Sequence, residues 1–234
     1  GHSTVGTLSS ATYNTALGIG AMDAITQGDY NVAVGYNSAT TLTTGVNNTL
    51  VGALSGDALT SGQENVVVGY AALSSEDGHG KNVAVGAYTL NALNAGADAY
   101  NVAVGYQAGY AVSIGINNTI IGGTAGDALT EGNQNVLIGR NAGGALTTGG
   151  QNTAVGFEAL LTEDTGYTAT AIGFRALKLQ DGGNTYNTAV GHEAGSAITT
   201  GARNTIIGGN AGDALTTGVD SVAVGHNALG ALTI

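Results

Sequence analysis

Apolar and polar positions alternate along this chain on two superposed periods, two residues inside short segments and about seventeen between them. The segment Asn-[Thr/Val]-apolar-aliphatic-Gly begins at Asn14, Asn31, Asn48, Asn65, Asn82, Asn101, Asn118, Asn135, Asn152, Asn187 and Asn204, and copies without the Asn begin at Ala169 and Ser221. Ten of the twelve intervals are 17 residues, and the other two are 19 (Asn82 to Asn101) and 18 (Ala169 to Asn187). A fixed period of this length predicts a stacked repeat architecture. The coil reads N-T-A-V-G-x-x-A-G-x-A-L-T-T-G-x-x, with glycine at position 5 in all thirteen copies. A helix would lose roughly 1 kcal/mol at each such glycine and would carry β-branched residues beside it. Short strands tolerate both, so the expected fold is all-β: a parallel β-solenoid of about thirteen coils, forming one repeat domain over residues 1–234.

Strand alternation places positions 2 and 4 on one face and positions 1, 3 and 5 on the other. Position 4 is aliphatic in every coil, from Leu17 and Val34 to Ile207 and Val224, and is expected to be the inner column. Position 12, usually Leu or Ile (Ile25, Leu42, Leu59, Leu129, Leu146, Ile198, Leu215), is expected to face it from across the coil. The recurring Asn is expected to stack as a ladder of side-chain amides. Position 3 is apolar too, and on this assignment it faces outward as a stripe too long for a soluble monomer. The expectation is that a second and a third copy of the chain cover it, through Ala33, Ala84, Ala103, Ile120, Ala154, Ala189 and Ile206.

Composition narrows the partners. The chain has 41 glycines, no proline, no cysteine and a formal charge of −11, with only five basic residues. Nucleic acid or an anionic membrane surface would call for a basic patch, and no run of eighteen apolar residues suggests insertion into a bilayer. Without cysteine there is no disulfide, thiolate metal site or thiol chemistry.

Asn152 to Gly156 (NTAVG), Asn101 to Gly109 (NVAVGYQAG) and Asn204 to Gly218 (NTIIGGNAGDALTTG) resemble the head repeats of YadA-like trimeric autotransporter adhesins. They resemble still more the 17-residue NTAIGYQAL-type repeats of phage tail fibres and large surface proteins. The resemblance covers essentially the whole chain. It implies a left-handed β-roll, an intertwined or side-by-side homotrimer, and an extracellular place on a virion tail fibre or a cell surface. The implied role is attachment to a host or cell-surface glycan or protein receptor.

Candidate chemistry is sparse. Scarce charge gathers in EDGHGK (Glu76, Asp77, His79) and in EDTGYT (Glu163, Asp164, Tyr167), in the coils just before the two lengthened ones. Loops at breaks in a period are natural ligand sites or simply solvated turns. Position 6 offers Tyr36, Tyr70, Tyr106, Phe157 and Phe174, rings suited to stacking on a sugar or packing on a neighbouring subunit. His192 and His226 stand two coils apart, too far to share a zinc ion. Asp57, Asp127 and Asp213 recur in coils too far apart for one calcium ion. Neighbouring carboxylates in a turn lack the opposed geometry of a glycosidase. No catalytic residue, metal or cofactor is expected. Two other classes stay open: a self-assembling filament stacking end to end, since no polar or proline-bearing cap closes either end, and an ice-binding protein. The latter reading rests on Thr at positions 13 and 14 and is weakened where Asp77, Asn94, Asp164 and Asp181 interrupt that array.

Overall fold

The structure is a computed structural model and describes residues 10–230. Among them are thirteen three-residue strands and no helix. In chain order these are β1 (Thr15–Leu17), β2 (Val32–Val34), β3 (Thr49–Val51), β4 (Val66–Val68), β5 (Val83–Val85), β6 (Val102–Val104), β7 (Thr119–Ile121), β8 (Val136–Ile138), β9 (Thr153–Val155), β10 (Thr170–Ile172), β11 (Thr188–Val190), β12 (Thr205–Ile207) and β13 (Val222–Val224). Every strand is positions 2 to 4 of a coil. The chain divides into two compact units, residues 1–117 with β1 to β6 and residues 118–234 with β7 to β13. Within each unit consecutive strands pair in parallel and in exact repeat register. The protein is therefore a parallel β-solenoid.

The Asn ladder holds each coil to two others. Asn48 donates its backbone N–H (2.9 Å) and its Nδ2 (3.0 Å) to Asn31 Oδ1, and Nδ2 also reaches Gly62 O at position 15 of its own coil (2.8 Å). Its Oδ1 in turn accepts from the backbone N–H (3.0 Å) and Nδ2 (3.1 Å) of Asn65. The ladder asparagines from Asn31 onward are buried, so each amide does the work water would otherwise do for the strand entry. Glycine at position 5 has a separate cause. At Gly52 φ is +136°, and a Cβ would stand 2.4 Å from Gly69 O in the next coil, so only glycine fits both the turn and the stacking distance.

The face assignment of the strands is the reverse of the expected one. Position 3 points inward: Ala33, Ala84, Ala103, Ile120, Ala154, Ala189 and Ile206 are wholly enclosed by their own chain. They are therefore not available as a subunit interface. Positions 2 and 4 are the outer face, half-buried or exposed in every strand. Both faces are apolar, so alternation alone could not orient a three-residue strand. Core volume decides it. Where position 3 is large (Leu50, Ile120, Leu137, Ile206) position 9 is glycine (Gly56, Gly126, Gly143, Gly212), and a Cβ on Gly56 would lie 2.5 Å from Leu50 Cδ2. Where position 9 is Met22, Leu90, Leu160 or Leu177 position 3 is alanine (Ala16, Ala84, Ala154, Ala171), while Ala33, Ala103 and Ala189 stand opposite the small Ala39, Gly109 and Gly195. Position 12 faces inward as expected, and Ile25, Leu42, Leu59, Leu129, Leu146, Ile198 and Leu215 are all buried.

Position 13 threonines add a second stitch. Thr43 Oγ1 donates to Thr60 O (3.0 Å), Thr60 Oγ1 to Asp77 O (2.7 Å) and Thr147 Oγ1 to Asp164 O (3.1 Å). These hydroxyls fasten one coil to the next, a structural role that does not call for an ice-matching array.

Replacing Asn48 by Ala strands buried donors and acceptors on three coils, and is expected to lower the unfolding free energy by about 2–3 kcal/mol. Asn48→Asp keeps the acceptor of the Asn65 N–H and loses the donor to Gly62 O. Urea unfolding followed by circular dichroism checks both, and an unchanged midpoint for Asn48→Ala would remove the ladder from its central place.

Candidate functional site

The two charged loops occupy equivalent places in their units and solve the same problem. Glu76 and Glu163 stand at position 12, where most other coils carry Leu or Ile, and both are fully buried. Glu76 Oε1 accepts from the backbone N–H of His79 (3.0 Å) and faces its Nδ1 (3.2 Å), and Oε2 accepts from Ala95 N in the lengthened coil (3.3 Å). Glu163 accepts from Gly166 N (2.8 Å), Gln180 Nε2 (3.1 Å) and Gly182 N (3.4 Å). A carboxylate buried in the core thus collects the N–H groups that the extra residues of the next coil would leave orphaned.

Coil 10, which starts at Ala169, lacks the ladder Asn, and the same network replaces it. Gln180 is buried, donates to Glu163 and accepts from Asn187 Nδ2 at 2.9 Å.

The remaining loop charge is likewise consumed. Lys81 Nζ lies 2.7 Å from Asp98 Oδ2, 3.1 Å from Tyr100 Oη and 5.2 Å from the Tyr100 ring centre. The hydrogen bond from Lys81 holds the Asp98 carboxyl below the usual carboxylate range, and the same bond raises Lys81. Tyr167 is exposed, donates Oη to Thr148 O (3.0 Å) and receives nothing at its ring from another aromatic residue among the described residues. Asp77 and Asp164 are exposed. The ligand atoms of Glu76, Asp77 and His79, and those of Glu163, Asp164 and Asp181, lie within 4.8 Å of one another. A divalent cation there would compete with the N–H donors that already hold each buried glutamate.

The aromatic residues sort differently. Tyr36 is exposed between Ile19 and Ala53, the position 6 residues of its neighbouring coils. Tyr70 and Tyr106, two coils apart, are brought together by Tyr88, whose ring meets them edge-on with centroids 5.2 and 6.3 Å away. Tyr110 closes the group at 6.5 Å from Tyr88. In the second unit Phe157, Phe174 and His192 stack in one column, with centroids 5.4 and 5.0 Å apart and planes within 10°. Arg175 lies over Phe174 at 4.9 Å, and Arg140 over Phe157 at 5.9 Å. Counted from the lengthened coil, the two clusters occupy the same three coils, those starting at 65, 82 and 101 and at 152, 169 and 187. Position 6 holds five of the seven rings of the two clusters, of which the sequence reading takes Tyr70, Tyr106, Phe157 and Phe174 as stacking rings and weighs His192 only as a metal candidate. Tyr88 is at position 7 and Tyr110 at position 10, and both enter only when the whole turn is read as one surface.

The GDALT aspartates have no shared site. Asp57 and Asp127 are half-buried, and desolvation pushes both carboxyls above the usual range. Asp57 Oδ1 and Asp213 Oδ1 are buried without a hydrogen-bond partner. A raised folded-state pKa means that the charged form is disfavoured by folding. The penalty is full above the folded pKa and vanishes below the unfolded one. Asp57→Asn is therefore expected to raise the thermal midpoint at pH 7, by an amount that shrinks as the pH falls through the acid range; thermal melts across that range check the sign.

No protein-family model, no curated protein and no solved structure matches this chain, so the reading of its function rests on the solenoid and its surface chemistry alone.

Proposed function

We propose that the chain is a structural and attachment segment of a trimeric extracellular fibre, which holds a cell-surface ligand through repeated shallow contacts. The observation that supports it is the outer face of the strands. In the first unit positions 2 and 4 of every strand are Thr, Val or Leu, and in the second they are Thr, Val or Ile, with no charge among them. Val66, Val68, Val102, Ile172 and Ile207 are among the exposed apolar residues. With strands about 4.8 Å apart, each unit displays an uncharged face of aliphatic and threonine side chains on the order of 300 Å², within the range of the largest patches of ordinary monomers, which are often functional. Further copies of the chain around a common axis are its natural cover, since an uncharged β-branched surface strands no charge against a neighbour, and a heterologous contact that closes after three copies makes a ring.

The subunit contact thus moves from position 3 to positions 2 and 4. A fibre built on it multiplies every weak surface site by the number of chains, and avidity then replaces a deep pocket.

Light scattering on the native protein is expected to give three times the 22.8 kDa chain mass. Val155→Glu, on the outer face, should dissociate the assembly while leaving the circular dichroism spectrum in place. Ala154→Glu, one residue away on the inner face, should abolish the fold instead, because it buries an unpaired charge. A wild-type protein that runs as a monomer would sink the proposal, and open-ended filaments in negative stain would replace it with end-to-end assembly.

A further inference from the structure

The two aromatic clusters are the same surface of an internally repeated block, and they differ in charge. In the first unit the cluster is Tyr70, Tyr88, Tyr106 and Tyr110, with Asn91 beside Tyr88 in the repeat register. In the second, Arg175 takes the place of Tyr88, and Lys178 takes that of Asn91. Three of the chain's five basic residues, Arg140, Arg175 and Lys178, gather on this one patch of a protein whose net charge is −11.

Two carboxylates share the patch and leave it cationic. Glu158 Oε2 takes Arg175 Nε at 2.8 Å and Lys178 Nζ at 3.1 Å, while Glu193 stands 3.9 Å from Arg175 Nη1. Arg140 meets no carboxylate within 4.0 Å among the described residues and stands over the Phe157 ring, 5.9 Å from its centre. The guanidinium of Arg175 therefore keeps N–H groups not committed to a strong pair, and a guanidinium is shaped for a carboxylate. Next to the ring column lies a cleft of about 230 Å³ lined by Arg175, Lys178, Leu179, Glu193, Ser196 and Ala197. It combines cations, a hydroxyl and the exposed apolar side chain of Leu179.

We infer that this patch of the second unit binds a carboxylate-bearing saccharide, such as a uronic- or sialic-acid residue. One sugar face lies on the Phe157–Phe174–His192 column, and the carboxylate meets Arg175 and Lys178. The stacked rings present their edges and the slipped margins of their faces as an apolar strip, against which the C–H groups of a pyranose can pack. The cations supply a place on an acidic protein where an anion meets attraction rather than repulsion. The uncharged tyrosine cluster of the first unit has the stacking rings without the cations, so any preference it has is for neutral sugars. The inference rests on the attachment reading and names its ligand class.

The test uses the full chain on a panel of immobilised oligosaccharides ending in uronic or sialic acid, each beside its carboxyl methyl ester and a neutral counterpart. Binding of the acids is expected, weakened at least about tenfold by methyl esterification, by Arg175→Gln with Lys178→Gln, and by Phe174→Ala. Added salt should weaken it further. Tyr88→Ala should leave it unchanged. All variants are compared at an unchanged melting temperature, and His192→Ala serves as the second ring variant if Phe174→Ala does not fold. Acid binding indifferent to the Arg175 and Lys178 substitutions, or no binding of any acid, overturns the inference. In the latter case, neutral sugars lost on Tyr88→Ala would leave the attachment reading standing, and silence across the whole panel would take a glycan ligand away from both.

Discussion

The amide of the ladder asparagine is the constraint on which the rest depends. A coil of seventeen residues encloses a very thin core, and the chain enters each strand where backbone polar groups are already cut off from water. One side chain with an acceptor and two donors satisfies the coil before, the coil after and the turn at position 15 of its own coil. That geometry requires the carbonyl of position 15 to sit against the Asn, and glycine at that position lets the next coil come close enough for it to do so. The period of the sequence is in this sense the period of a hydrogen bond.

Thinness then governs the choice of core residues. With room for only a few side chains per layer, a Leu or Ile at position 3 excludes any side chain at position 9, and a Met or Leu at position 9 stands opposite nothing larger than Ala or Val at position 3. The same shortage of space explains the buried glutamates. A lengthened coil brings extra N–H groups to a place that no water reaches, and a carboxylate at position 12 is the compact group that accepts several of them at once. The charge of the two loops is mostly spent on the fold, which leaves the aromatic turns as the surface with chemistry to offer.

The two units carry the same block with different side chains on it. Where a backbone is so fully specified by its internal columns, the outward positions of the turn are free to vary without cost to stability. Tyrosines on one block and phenylalanines with arginine and lysine on the other are two chemistries on one frame. Attachment by many shallow contacts suits such a frame better than a single deep pocket, because no coil is wide enough to enclose a ligand.

Much of this was legible in the residues. The seventeen-residue spacing, the glycine at position 5 and the Asn column specify parallel strands, their register and the ladder, because each concerns residues that repeat at a constant offset and so meet by necessity. The inward Leu and Ile of position 12 follow from the same regularity. Which face of the strand is buried was not legible from alternation, since Val155 and Ala154 are both apolar and a three-residue strand has no longer pattern to break the tie. Closure of the coil broke it, by setting position 3 against position 9 in a space with a fixed volume; the reciprocal sizes of Leu50 with Gly56 and Ala154 with Leu160 were the available signal. The meeting of Tyr88 with Tyr70 and Tyr106, and of Arg175 with Glu158 and the Phe157 column, depends on side chains of different positions in neighbouring turns. Those distances come into being only when the coils stack.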